Sequence, residues 1–195
     1  VRFLEVMAIN NGQELNYEGL SSDCGIPART LEGHIEILKD TLIGFELLPF
    51  SKTIKRKAIS RSKFYFFDNG VANYLSQKLP LPEGSTDLGI AFEQFIVNEI
   101  RAYLSYARKR LPLTYWRSKD KEVDLIIGQK IAIEIKFSTN FKPQFIQGLK
   151  ALKEEGLIEK FMVIGRFSQP GTLDDIRYLH YEHFLKLLWH ENSIV

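Results

Sequence analysis

Apolar positions recur at helical spacing three times near the start of the chain. RFLEVMAINNG reads as a helix ended by Asn11 and Gly12, and NYEGLSSDCG as a short second helix with Gly25 just past its end. PARTLEGHIEILKDTLI places Leu31, Ile35, Leu38 and Leu42 on one helical stripe, with Pro27 suited to the first turn. The period then shortens. FELLPF and KFYFFD read as strands on either side of the polar SKTIKRKAISRS. Helices followed by a two-stranded hairpin predict a winged helix-turn-helix over residues 1–79. KLPLPEGSTD, with its prolines, glycine and small polar residues, predicts a linker at 80–87.

A different pattern fills residues 88–195. LGIAFEQFIVNEIRAYLSYARKRL carries Phe92, Ile96, Ile100, Tyr103 and Ala107 at helical spacing, with Thr86 or Asp87 as N-cap. LTYWR predicts a strand, and EVDLII and IAIEIKF predict a hairpin. KPQFIQGLKALKEEG predicts a helix with Phe145, Leu149 and Leu152 in one stripe. FMVIGR and IRYLHY predict further strands, and EHFLKLLW a closing helix. The order α-β-β-β-α-β predicts a mixed α/β core with a central mixed sheet.

The hairpin carries charges where a buried pair of strands should not. In EVDLII, Val123, Leu125 and Ile127 point one way and Glu122, Asp124 and Ile126 the other. In IAIEIKF, Ile131, Ile133, Ile135 and Phe137 share one face, and Ala132, Glu134 and Lys136 the opposite one. A turn at Gly128, Gln129 and Lys130 puts like faces together, with Ile127 opposite Ile131, Asp124 opposite Glu134, and Glu122 opposite Lys136. One face is then an apolar wall. The other is a solvated face carrying two carboxylates side by side, which repel unless something positive lies between them. A divalent cation would serve, since Mg²⁺ prefers oxygen ligands. So would a pairing of Glu134 with Lys136 or Lys121 on that solvated face.

Composition narrows the setting without naming a partner. The chain has 195 residues, is 45% hydrophobic and 26% charged, and has a net charge of +2. That is an ordered protein of one large or two small domains. The single cysteine, Cys24, cannot form an internal disulfide and suits a cytoplasmic location. No apolar run approaches a membrane span, and the N-terminus has no signal-peptide pattern, so no membrane partner is expected. The chain begins at Val1 with helical pattern at once, which predicts a fragment of a longer protein.

The Asp124, Glu134-x-Lys136 spacing after a long helix resembles the PD-(D/E)XK nuclease superfamily, whose core is α-β-β-β-α-β. Val123 stands where the short motif has proline. More specifically, LNYEGLSSDCGIPARTLEGHIEILKDTLI, KFYFFDNGVANYL, GIAFEQFIVNEI, YWRSKDKEVDLII and IAIEIKFS run in the order of a domain that follows the ATPase module in many bacterial and archaeal AAA-type ATPases. The chain itself has no Gly-x-x-x-x-Gly-Lys phosphate loop. The resemblance implies a restriction-endonuclease-like fold and Mg²⁺ or Mn²⁺ held by Asp124, Glu134 and the Ile135 carbonyl. Glu93 would add or orient a ligand, and Lys136 would position the attacking water or steady the scissile phosphate. The implied partners are nucleic acid, DNA foremost, and the ATPase module. The implied activity is metal-dependent phosphodiester hydrolysis. The alternative is a non-catalytic module that keeps the fold for protein interaction or regulation of the ATPase. Gln147 could contact the site or simply be a solvated helical residue.

The run SKTIKRKAISRSK holds Lys52, Lys55, Arg56, Lys57, Arg61 and Lys63 and no acid. A basic wing can neutralise phosphates; a solvated loop is the plainer account. On the third helix Arg29 joins the candidate nucleic-acid contacts, but Glu32, Glu36 and Asp40 oppose docking of that helix on phosphates. The winged helix could instead dock on protein. His180, His183, Trp116 and Tyr115 are read as packing or surface residues.

Overall fold

The computed structural model describes residues 2–52, 61–191 and 193–194. It is mixed α/β and divides into two compact units: the described residues of Val1–Leu48 and Arg61–Gln94, and those of Pro49–Ser60 and Phe95–Val195. The second unit resumes at Phe95, inside a helix.

The first unit opens with α1 (Arg2–Ile9), α2 (Tyr17–Cys24) and α3 (Ala28–Asp40). Their apolar stripes meet in one core that includes Met7, Leu20, Leu31, Ile35 and Leu38. Gly25 ends α2 in the left-handed region, at φ 71°, which glycine adopts without a Cβ clash. Leu42, expected on the α3 stripe, is not part of it. The helix stops at Asp40, and Leu42 turns to φ 60° and lies 70% exposed.

β1 (Gly44–Pro49) pairs antiparallel with β2 (Lys63–Phe66), with Phe45 opposite Tyr65. A helix absent from the sequence pattern follows, α4 (Asn69–Leu75). Asp68 is its N-cap: its carboxylate accepts the Val71 N–H at 2.9 Å. α5 (Thr86–Tyr106) begins one residue after its cap, because Ser85 Oγ accepts the Leu88 N–H at 3.2 Å. Thr86 and Asp87 lie inside the first turn.

The second unit is a mixed sheet with the order β3-β4-β5-β6-β8-β7. β3 (Leu113–Ser118), β4 (Lys121–Ile127) and β5 (Ile131–Lys136) are antiparallel. β6 (Lys160–Gly165) and β8 (Ile176–His180) continue in parallel, and β7 (Gly171–Leu173) closes the edge antiparallel to β8. Asp174 and Asp175, at φ 53° and 62°, form the tight turn that makes β7 possible. A 3₁₀ turn, Pro143–Ile146, leads into α6 (Gln147–Lys153), and α7 (Tyr181–Trp189) ends the unit. The element order from α5 to β6 is α-β-β-β-α-β, as the periodicity predicts.

β5 and β6 are buried on both faces, as parallel neighbours require. One core gathers Trp116, Ile126, Ala132 and Val163 under Leu149 and Leu152 of α6. Tyr115 and Trp116 are both fully buried. The C-terminal half of α5 meets α7: Trp189 Nε1 donates to Glu99 Oε2 at 2.8 Å, and the Trp189 and Tyr103 rings meet edge to face. Among the described residues no helix is long and apolar enough to cross a membrane.

Candidate active site

Hairpin register decides which charges meet. Ile127 pairs with Ile131, Ile126 with Ala132 and Leu125 with Ile133. Gly128 takes the left-handed turn position at φ 58°. Beyond Leu125 the even alternation breaks: the β3–β4 register shifts between the pairs Thr114–Ile126 and Trp116–Val123, Val123 joins the core of Ile126 instead of the opposite face, and Asp124 and Glu134 are brought together by the Lys136 ammonium.

The face that carries these charges is not solvated. Ile126 and Ala132 share it, and α6 covers them. The helix can come so close because Gly148 has no side chain: a Cβ there would collide with the main-chain carbonyl oxygen of Glu122. Asp124 is consequently 5% exposed and Glu134 7%. Carboxylates this deep need compensation. Ile135 N–H donates to Asp124 Oδ2 at 2.7 Å. The Lys136 ammonium sits 2.6 Å from Glu134 Oε1 and 3.6 Å from Asp124 Oδ2. The lysine side chain is itself 35% exposed, so a solvent-facing cation caps two buried anions.

The cap opens into a cleft of about 400 Å³. Glu134 and Lys136 line it from β5, Lys121 and Glu122 from β4, and Phe145 and Gln147 from the turn and helix that follow. Lys121 Nζ donates to Gln147 Oε1 at 3.0 Å, joining the strand side to the helix side. So Glu134 pairs with Lys136, while Lys121 holds the glutamine. Glu122 also lies 3.7 Å from Arg117 Nη1. At the rim, a hydrogen bond from its own backbone and then the nearby Lys121 hold the Asp120 carboxyl below its ordinary value. Lys121 and Phe145 were not singled out as site residues from sequence. The available signal was register for Glu122 and Lys121, and helical phase for Phe145.

Other expected site residues lie elsewhere. Glu93 belongs to the first unit, where Tyr65 Oη donates to its Oε1 at 2.6 Å and Lys63 Nζ lies at 3.5 Å. Lys63, expected as a phosphate contact, is 5% exposed because β2 is buried along its whole length. Its charge is directed inward. Arg29, Lys52 and Arg61 are exposed. Lys55, Arg56 and Lys57 lie outside the described residues. His180 caps α7, its Nδ1 accepting the Glu182 N–H at 3.2 Å, and His183 is exposed.

Among the described residues no three His, Cys, Asp or Glu side chains gather into a metal cluster. The pair Asp124 and Glu134 nevertheless fits one hard cation: both donors are carboxylates, both are fixed on adjacent strands, and the positive charge between them belongs to a long, partly exposed side chain that can swing away.

Residues 1–82 match the model of a domain of unknown function, DUF8612. Residues 88–183 match a second, DUF4143. The boundary between the two matches coincides with the prolyl segment. The chain is also similar to an uncharacterised protein of Mycobacterium tuberculosis and to one of Mycobacterium bovis, each 28% identical over 138 residues. Each alignment covers 67% of this chain and 30% of the relative, so the chain spans under a third of those proteins. No solved structure matches it.

Proposed function

We propose that the second unit is a PD-(D/E)XK nuclease-like domain that hydrolyses phosphodiesters in nucleic acid, DNA foremost, with a divalent cation. We further propose that the first unit is a winged helix and that the whole is the C-terminal part of an AAA-type ATPase. One observation carries the reading: two carboxylates buried on adjacent strands, bridged by a lysine that opens into a cleft. That arrangement is costly for a purely structural sheet, because replacing a buried ion cluster with apolar residues is often neutral or stabilising.

Asp124 and Glu134 would hold Mg²⁺ or Mn²⁺, with the Ile135 carbonyl as a third oxygen. When bound, such an ion lowers the pKa of a coordinated water and neutralises charge on the phosphate. The Ile135 N–H fixes the Asp124 carboxylate before any ion arrives. Lys136 then orients the attacking water or steadies charge on the phosphate. Gln147, held by Lys121, borders the path of the strand. The Glu93 carboxylate, expected as an added ligand, is engaged by Tyr65 and Lys63. Lys52, Arg61 and the basic residues between them, together with Arg29, are proposed to hold phosphates.

The deciding experiment is Mg²⁺-dependent cleavage of mixed DNA and RNA by the wild-type chain beside Asp124→Ala. Cleavage that the variant loses supports the proposal. Equal products, or none from either, would overturn it.

A second reading has its own observation. Lys136 already supplies positive charge to both carboxylates, so the site can be complete without metal. The domain would then be an interaction or regulatory module. A melting temperature unmoved by Mg²⁺ and Mn²⁺ favours that reading.

A further inference from the structure

The second unit holds another cleft, of about 500 Å³, at the end of the parallel strands away from Lys136. That volume is within the range of small-molecule sites. The cleft shares no lining residue with the one that Glu134 and Lys136 border. Its apolar wall comes from Ile131 of β5, Met162 of β6, Leu187 of α7 and Ile194 in the tail beyond that helix. The tail is tied to α7, because the Ser193 N–H donates to the Leu187 carbonyl at 3.3 Å.

The charged side chains of this cleft do not balance. Its acids are Glu159 and Asp175, and its cations Lys153, Lys160 and Arg177. Each acid already has a cation: Glu159 lies 2.6 Å from Lys130 Nζ, and Asp175 lies 3.2 Å from Lys153 Nζ. Lys160 and Arg177 have no acid. Among the described residues neither makes an ion pair or a side-chain hydrogen bond. Register brings the two together. Lys160 and Met162 alternate with Phe161 on β6, and Arg177 of β8 is paired with Met162. All three side chains therefore share one face of the sheet. Like charges on neighbouring strands disfavour each other, and an anion between them removes the penalty. Arginine offers a planar fork of donors to an oxyanion, and lysine a point charge beside it. Two uncompensated positive charges match a phosphate monoester, which carries nearly two negative charges at neutral pH. An inorganic ion would use the cations and leave the apolar wall without a partner. We infer that this cleft binds a small phosphate monoester with an apolar body, its phosphate on Arg177 and Lys160 and its body against Met162, Leu187 and Ile194. The inference does not rest on the nuclease reading.

Isothermal titration of the whole chain without metal tests it. The probes are phenyl phosphate, inorganic phosphate, benzoate and phenol. Phenyl phosphate should bind one to one, about tenfold tighter than inorganic phosphate or benzoate, and phenol should not bind. Arg177→Gln and Lys160→Gln should each weaken phenyl phosphate about tenfold, the effect of one lost charge-assisted contact. Both side chains are exposed and unpaired, so the melting temperatures should stay at the wild-type value. Arg177→Lys, which keeps the charge without the fork, should lose less than Arg177→Gln. Lys136→Ala, which alters the other cleft, should bind phenyl phosphate as the wild type does. Phenyl phosphate affinity that is indifferent to both glutamine variants, or that is lost in Lys136→Ala, overturns the inference. So does inorganic phosphate or benzoate binding as tightly as phenyl phosphate, or no binding of phenyl phosphate at all.

Discussion

In the first unit Lys63 of β2 pairs with Glu93 of α5, in the second Lys136 and Glu134 pair along β5, and the two pairs are built in opposite senses. In the first unit Lys63 is the hidden member. Its side chain is 6% exposed, Glu93 is 20% exposed, and the ammonium–carboxylate distance is 3.5 Å. Tyr65 closes on the same carboxylate oxygen. In the second unit the carboxylates are hidden and the lysine faces out: the Glu134 side chain is 9% and that of Lys136 35% exposed, at 2.6 Å. A hidden cation held by a tyrosine-clasped acid can exchange with nothing. A partly exposed cation over fixed acids can be displaced by another cation or drawn to an anion. Burial of a charge therefore does not mark function; which partner keeps access to solvent does.

Breaking the first pair should give the larger loss of stability. Lys63→Ala removes the buried member of its pair, and loss of a partner from a buried pair costs about 3 kcal/mol. Chemical denaturation should show this loss unchanged by added Mg²⁺. Equal rescue by Mg²⁺ would mean that Glu93 takes part in a metal site.

The buried amides of the first unit come next. Gln94 accepts from Asn11 Nδ2 at 2.7 Å and donates to the Phe66 carbonyl at 2.6 Å, while Asn11 accepts the Phe66 N–H at 2.8 Å. Gln94→Leu strands two buried polar groups and should cost about 2–3 kcal/mol. Oligonucleotide binding by the folded variant should be unaltered, and a loss there would join this network to function.

Lys136→Ala tests the open pair. Two carboxylates remain buried, but the lost cation was partly exposed, so about 1–2 kcal/mol should go. Here Mg²⁺ should restore much of the melting temperature, since the oxygen ligands persist, while cleavage stays abolished. A large loss insensitive to Mg²⁺ would make this pair as structural as the first.

The smallest effect is expected away from both pairs. Asp68→Ala removes the α4 cap and should cost about 1 kcal/mol, with binding and cleavage unchanged. Circular dichroism and melting curves measure it.

Much of the second unit could be read in advance because its strands carry unbroken apolar runs and its hairpin parity allows one register. Asp124, Glu134 and Lys136 could be assigned to adjacent strands from that pattern alone. Their burial could not. It depends on α6 lying against β4, which depends on Gly148, an unremarkable residue in a helical pattern. α4 was missed because a seven-residue helix carries too few apolar positions to show a period. Leu42 was misplaced because a helical stripe does not show where its helix ends. The short β7 has no periodic signal, and its two aspartates at positive φ are visible only in the backbone.

The sequence by itself determined the α-β-β-β-α-β order of the second unit and the strands that carry two carboxylates and one lysine, because alternation and period are local properties of the chain. Tertiary structure decided which charges face water. Glu93 and Lys63 turn toward each other within the first unit, Lys121 turns to Gln147, and Lys136 keeps its ammonium at the mouth of a cleft. These choices come from packing between segments distant in sequence, where the cost of burying a charge is settled by whatever else arrives at the same place.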